Sequence, residues 1–157
     1  MHHILFVCLG NICRSPMAEA IAKNIIKQQG LAAKFSVQSV ATSPEEEGNP
    51  PYPEALATLH QHGLDLKHRS RPITAADFNW ADTIITMDHA NVTNLKRLAP
   101  SPEAAAKVKL CLDIFPERQG QAIADPWYTR KFELTYQELA QAIPAWLDTL
   151  SAQSADH

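Results

Sequence analysis

The sequence predicts an α/β fold: three layers, α/β/α, around a parallel sheet of about four strands. Short β-prone apolar runs alternate with helical patterns along the chain, as a parallel sheet with covering helices requires. The runs are apolar at consecutive positions rather than every second one, so both faces of the sheet need cover. A length of 157 residues suits one hydrophobic core and would make two marginal ones. The chain therefore reads as a single domain over residues 1–150, with a flexible tail over 151–157.

Strands are predicted over His3–Val7, Lys34–Val40, Thr83–Met87 and Lys107–Leu112. The first helix starts near Ser15, with Pro16 in a tolerant first-turn position, Met17, Ile21 and Ile25 at four-residue spacing, and Gly30 as its stop. Pro53–His62 is a second helix, ended by Gly63. Asp88 can cap a third that carries Val92, Leu95 and Leu98. Phe132–Leu150 forms a long last helix with Leu139, Ile143 and Trp146 facing inward.

Composition narrows the function classes. With 45% hydrophobic and 20% charged residues and no apolar run near 18 residues, the chain reads as soluble, without a membrane partner. Ile4–Val7 is too short for a signal-peptide core and no basic residue precedes it, so a cytoplasmic location is expected. A net charge of −3 argues against general nucleic-acid binding. Three cysteines, an odd number, do not make a disulfide framework. The histidines suggest no metal site: His60 and His62 diverge on a helix, and His2 and His3 alternate on a strand. No cofactor is implied. Any anion this protein binds must be caught locally.

Residues 8–15 supply such a trap. The first strand delivers Cys8, Gly10 and Asn11 allow a tight turn with unusual backbone angles, and a helix begins near Ser15. Successive N–H groups of the loop can point at one anion, the helix N-terminus adds partial positive charge, and Arg14 can fork onto two oxygens of a phosphate-like group. The same features favour a thiolate at Cys8 and so a nucleophile.

VCLGNICRSP resembles the phosphate-binding loop of the low-molecular-weight protein tyrosine phosphatases. The similarity extends to Ser39 in SVATS, to KHRSRPITAADF, to Met87-Asp88 and to DPWY at 125–128. It implies a four-stranded parallel sheet with the phosphate loop between strand 1 and helix 1, and metal-free hydrolysis of phosphotyrosine in protein substrates through a phosphocysteine. By resemblance, Arg14 clamps the phosphate, Asn11 shapes the loop and Ser15 offers its hydroxyl to the thiolate. Leu9, Gly10, Ile12 and Cys13 complete the substrate-binding loop, while Ser39 and His68 brace it. Glu19 joins that network or favours the helix dipole.

The departing oxygen of such a reaction must be protonated, which calls for a carboxylic acid above the loop. Asp125 is the candidate, expected in a loop where Pro126 confines it to extended conformations. Trp127 and Tyr128 are implied to wall a slot opposite Leu9, and Tyr128 could also accept a phosphate from a tyrosine kinase. Cys13 is implied to pair reversibly with Cys8 under oxidation, whereas Cys111, within the fourth strand, is expected in the core. Many eukaryotic members place an aromatic wall after the TS pair, but here Pro44 and then Glu45, Glu46 and Glu47 follow. If that run borders the mouth, it should repel acidic phosphopeptides.

Three other functions compete. An arsenate reductase of this fold needs a downstream cysteine pair, and only Cys111 follows Cys13. A protein-arginine phosphatase typically carries Thr where this loop has Ile12. A non-catalytic phospho-ligand binding module would require neither Cys8 nor Asp125.

Overall fold

The computed structural model describes residues 1–155. Strands β1 (His2–Cys8), β2 (Phe35–Ala41), β3 (Thr83–Thr86) and β4 (Val108–Leu110) form one parallel sheet in the order β2-β1-β3-β4. Helix α1 (Arg14–Gln28) links β1 to β2, and α2 (Pro53–Gln61) and α3 (Ala75–Trp80) precede β3. Helices α4 (His89–Leu98) and α5 (Pro102–Ala105) separate β3 from β4, after which α6 (Pro126–Thr129) and α7 (Phe132–Ala155) close the chain.

Alternate residues of β1 face opposite layers. Ile4, Phe6 and Cys8 join a core built with α1, α2 and α7, while Leu5 and Val7 join a smaller one that includes Phe78, Leu95 and Ala104. Every residue from Ile4 to Cys8 is buried, which is the physical reason for the uninterrupted apolar run. The strand order reverses direction between β1 and β3, so the loops leaving these two strands diverge above the sheet and open a crevice at its carboxyl edge.

Several boundaries differ from the sequence reading. The last helix runs on to Ala155, so the tail expected over 151–157 is helical through that residue, and 156–157 lie outside the described residues. β4 stops at Leu110, and Cys111 opens a 3₁₀ turn, Cys111–Ile114; its carbonyl accepts from Trp146 Nε1 at 2.8 Å. Cys111 is nonetheless fully buried, and burial followed by the nearby Glu138 pushes its thiol up to about 12. Leu98 is 39% exposed, since α4 turns Asn91 and Leu95 inward instead. α3, α5 and α6 span six, four and four residues, too short to show a helical repeat in sequence.

Candidate active site

β1 ends on Cys8, and the chain turns back at once into α1. The residue that makes this turn is Asn11, whose φ of 55° lies in the left-handed region. Asn tolerates that region better than most residues because its amide bonds locally. Gly10 shows no positive φ; it serves space, since a Cβ there would meet Glu46 Cγ at 3.3 Å and Ile12 Cγ1 at 3.6 Å. The Asn11 amide is fully buried and fully used. Its Nδ2 donates to Ser15 Oγ (2.7 Å) and Ser39 Oγ (3.0 Å), and its Oδ1 accepts from His68 Nε2 (2.7 Å) and Arg71 N (3.4 Å).

No side chain caps α1. Instead the Cys8 sulfur lies against the helix start, accepting from Ser15 N at 3.4 Å and paired with Ser15 Oγ at 3.0 Å. A thiolate there gains two hydrogen bonds and the positive end of the helix.

Arg14 is 2% exposed and still reaches the cavity. Nη1 donates to Asp88 Oδ2 and to the Ile123 carbonyl, both at 2.8 Å, and Nη2 lies 3.6 Å from Asp125 Oδ2. Burial opposes its charge, but Cys8, Asp125 and the hydrogen bond to Asp88 outweigh it and push the guanidinium pKa up. Asp88 also caps α4 by accepting from Asn91 N at 2.8 Å, the one role that the sequence suggested for it. Its second role follows from the strand order: β1 and β3 are neighbours, so the residues just past their ends meet.

Behind the loop, Ser39 Oγ donates to Glu19 Oε1 at 2.6 Å, and Glu19 Oε2 accepts from Lys23 Nζ at 2.6 Å. His68 Nδ1 lies 3.7 Å from Glu19 Oε1. Glu19 is thus in the network, beside Ser39 and His68, rather than merely at a helix end. Residues 68–73 arrive along the free edge of β2, where Ala41 bonds the carbonyl of Arg71 and the amide of Ile73; Pro72 sits where no N–H is needed. That strip also brings Ser70 Oγ to the Gly10 carbonyl at 2.7 Å.

Asp125 comes from the opposite side. Ile123 N donates to the Met87 carbonyl, so the stretch leading to Asp125 is tied to the end of β3. Asp125 is the N-cap of α6 rather than part of an open loop, accepting from Trp127 N at 3.0 Å. Cys8, Leu9, Gly10, Ile12, Cys13, Arg14, Asp125, Trp127 and Tyr128 line one pocket, joined by Ser43, Glu45 and Glu46. Asn11, Ser15 and Ser39 lie beneath it, buried. Trp127 is 45% exposed and packs on Tyr52 with centroids 5.0 Å apart, so it belongs to the mouth and not to the core. Glu45 and Glu46 border that mouth and Glu47 does not; Glu46 Oε2 is held by Asn49 Nδ2 at 2.7 Å. The Cys13 thiol is pushed well up by burial first, then by Cys8 and Asp125, so it stays protonated.

The family model for low molecular weight phosphotyrosine protein phosphatase matches residues 3–156. The chain belongs to this family of hydrolases. A Homo sapiens low molecular weight phosphotyrosine protein phosphatase is 38% identical over 148 residues, spanning 92% of this chain and 93% of its own. The solved low molecular weight protein tyrosine phosphatase of Streptococcus pyogenes superposes with a TM-score of 0.84 at 37% identity, covering 100% of this chain and 99% of its own. A Drosophila arginine phosphatase superposes with a TM-score of 0.85 at 31% identity, covering 94% and 96%. Membership accounts for the strand-loop-helix start and the parallel sheet together. Among the described residues, no helix is long and apolar enough to cross a membrane, and no three His, Cys, Asp or Glu side chains are grouped to hold a metal ion.

Proposed function

We propose that this protein hydrolyses phosphotyrosine in protein substrates through a phosphocysteine on Cys8, with Arg14 as phosphate clamp and Asp125 as general acid and then base. The observation that carries this reading is the convergence of a sulfur at a helix start, a buried arginine and a carboxylate on one pocket lined by Leu9 and Trp127. Cys8 thiolate attacks phosphorus in line, the bond to the aryl oxygen breaks, and Asp125 passes its proton to that oxygen. Negative charge on the equatorial oxygens is met by loop N–H groups and by Arg14. Asp125, now a carboxylate, takes a proton from water as the water oxygen attacks phosphorus. The S–P bond breaks, inorganic phosphate leaves, and Ser15 Oγ supports the returning thiolate at 3.0 Å.

Cys13, held as a thiol, leaves one nucleophile in the loop and a resolving partner for Cys8 under oxidation. Ile12 and the wall of Trp127, Tyr128 and Leu9 favour an aryl group over phosphoarginine. In this reading the reaction takes place in the cytoplasm and needs no metal ion, because Cys8, Arg14 and Asp125 between them supply the nucleophile, the positive charge and the proton. Tyr128, 76% exposed, is open to a tyrosine kinase.

Turnover of an aryl phosphate in the presence of a chelator tests the scheme on wild type, Cys8→Ser and Asp125→Ala. Wild type should retain full activity with chelator and Cys8→Ser should lose roughly four orders of magnitude or more. Undiminished turnover by Cys8→Ser would defeat the mechanism, and faster release of phosphate from phosphoarginine than from phosphotyrosine would reassign the substrate.

A further inference from the structure

The turn that carries Asp125 and Trp127 is one helical turn at the surface, yet it must hold its height above the phosphate loop to within a fraction of an ångström for proton transfer. Tyr52 touches both parts. Its backbone N–H donates to the carbonyl of Ile12, within the phosphate loop, at 2.8 Å. Its ring lies 5.0 Å from Trp127 and 5.9 Å from Phe132, edge-on to the latter. Its hydroxyl accepts from Arg130 Nη2 at 3.3 Å.

Arg130 ends the same turn and is placed at a cost. Its φ is 62°, a left-handed conformation that glycine adopts freely and arginine does not. In exchange the side chain folds back over Tyr52 and Phe132, with centroid distances of 5.3 and 5.4 Å, and pairs with Glu54 in the first turn of α2. Tyr52 is itself the N-cap of α2 and makes no side-chain capping bond, so the ring occupies a position that a capping Asp or Ser would normally fill. Two local rules are broken within one cluster, and both departures serve contacts between α2 and the acid turn.

We infer that Tyr52, Glu54 and Arg130 form a latch that fixes the acid turn against the phosphate loop, making Tyr52 a positioning residue that acts through Asp125. This rests on the phosphatase reading for its chemical consequence but not for its structural one. Loss of the latch leaves the Cys8 loop intact and lets Asp125 drift. The damage should therefore depend on how much protonation the leaving group needs.

The experiment has two arms, on wild type, Tyr52→Ala, Tyr52→Phe and Arg130→Gly. Amide hydrogen exchange of residues 127–130 is measured first, without substrate. Tyr52→Ala should lose protection at the N–H of position 130, which bonds the Pro126 carbonyl at 2.8 Å, Tyr52→Phe should keep most of it, and Arg130→Gly should lose protection only as far as the side-chain latch outweighs the relief of the left-handed backbone. Unchanged protection in Tyr52→Ala overturns the latch, whatever the enzyme's substrate proves to be. The second arm compares kcat/KM for phenyl phosphate, whose leaving group needs protonation, with para-nitrophenyl phosphate, whose leaving group needs little. Tyr52→Ala should lose roughly tenfold or more on the former and much less on the latter, with Tyr52→Phe restoring most of it. Equal losses on both substrates overturn the positioning role and reduce Tyr52 to packing. Wild type inactive on both would instead defeat the phosphatase reading and with it the catalytic half of the inference, while the exchange arm would still decide the tether.

Discussion

In the phosphate loop, Cys8, Asn11, Arg14 and Ser15 are each 3% exposed or less, whereas in the acid turn Trp127 and Tyr128 are 45% and 76% exposed. The first group is locked by buried and partly buried hydrogen bonds, four of them at the Asn11 amide alone. The second rests on a one-residue cap, aromatic contacts and an exposed ion pair. Burial explains the division of labour that the proposed mechanism requires. A cradle for a dianion must present its donors without reorganising, so its own polar groups are satisfied by neighbours that cannot leave without orphaning them. In the proposed mechanism the proton donor works from above that cradle, and its surface turn is held in place by the contacts of Tyr52 with Trp127 and Arg130 and by the Arg130–Glu54 pair.

If the two regions are held by such different means, mutations should separate activity from stability in opposite ways. The largest expected effect is Asp125→Asn, which keeps the N-cap oxygen toward Trp127 N but loses the acid. kcat on phenyl phosphate should fall roughly 10²- to 10⁴-fold with little change in Tm; a large drop in Tm would break the contrast. Asn11→Ala should do the reverse in kind. It strips partners from Ser15, Ser39, His68 and the Arg71 amide, and its loss of stability should be about 2–4 kcal/mol by urea denaturation. A loss near zero would show that the loop is not locked by this amide.

A pH series sharpens the picture further. Burial holds the His68 pKa below 6.5, with Lys23 and Arg71 acting in the same direction and Glu19 against it. The unfolded chain then binds the proton more readily, so this contribution to stability is complete above pH 6.5 and falls as the pH drops through 6.5 toward the folded value. His68→Gln, which can still donate to Asn11 Oδ1, should flatten the decline of Tm on acidification relative to wild type. Parallel pH profiles for the two proteins would remove His68 from the locked network.

The smallest effect concerns the rim. Replacing Glu45 and Glu46 by Gln should raise kcat/KM for phosphotyrosine peptides with flanking Asp or Glu roughly two- to fivefold at low salt, at about 0.2–1 kcal/mol per exposed charge pair. The gain should vanish at high ionic strength. Equal rates across a charge-scanned peptide set, for both proteins, would mean that these carboxylates read nothing.

The sequence by itself determined the parallel α/β layering and the cradle of residues 8–15, because both are encoded in contiguous stretches. Apolar runs buried on two faces set the first, and a strand, a tight turn and a helix start set the second. It also pointed to Asp125, though through the chemistry that a phosphocysteine demands and the resemblance of DPWY, not through any local pattern that ties residue 125 to residue 8. Asn11 rather than Gly10 taking the left-handed turn, the 3₁₀ turn at Cys111 and the single-turn helix under Asp125 were decided by neighbours distant in the chain. Asp88 reached Arg14 only because β3 lies beside β1, and Tyr52 reached Trp127 and Arg130 only because α2 and α7 pack together. A side chain's bonding capacity is written in its residue type, but its partner is chosen by the packing that brings remote segments together.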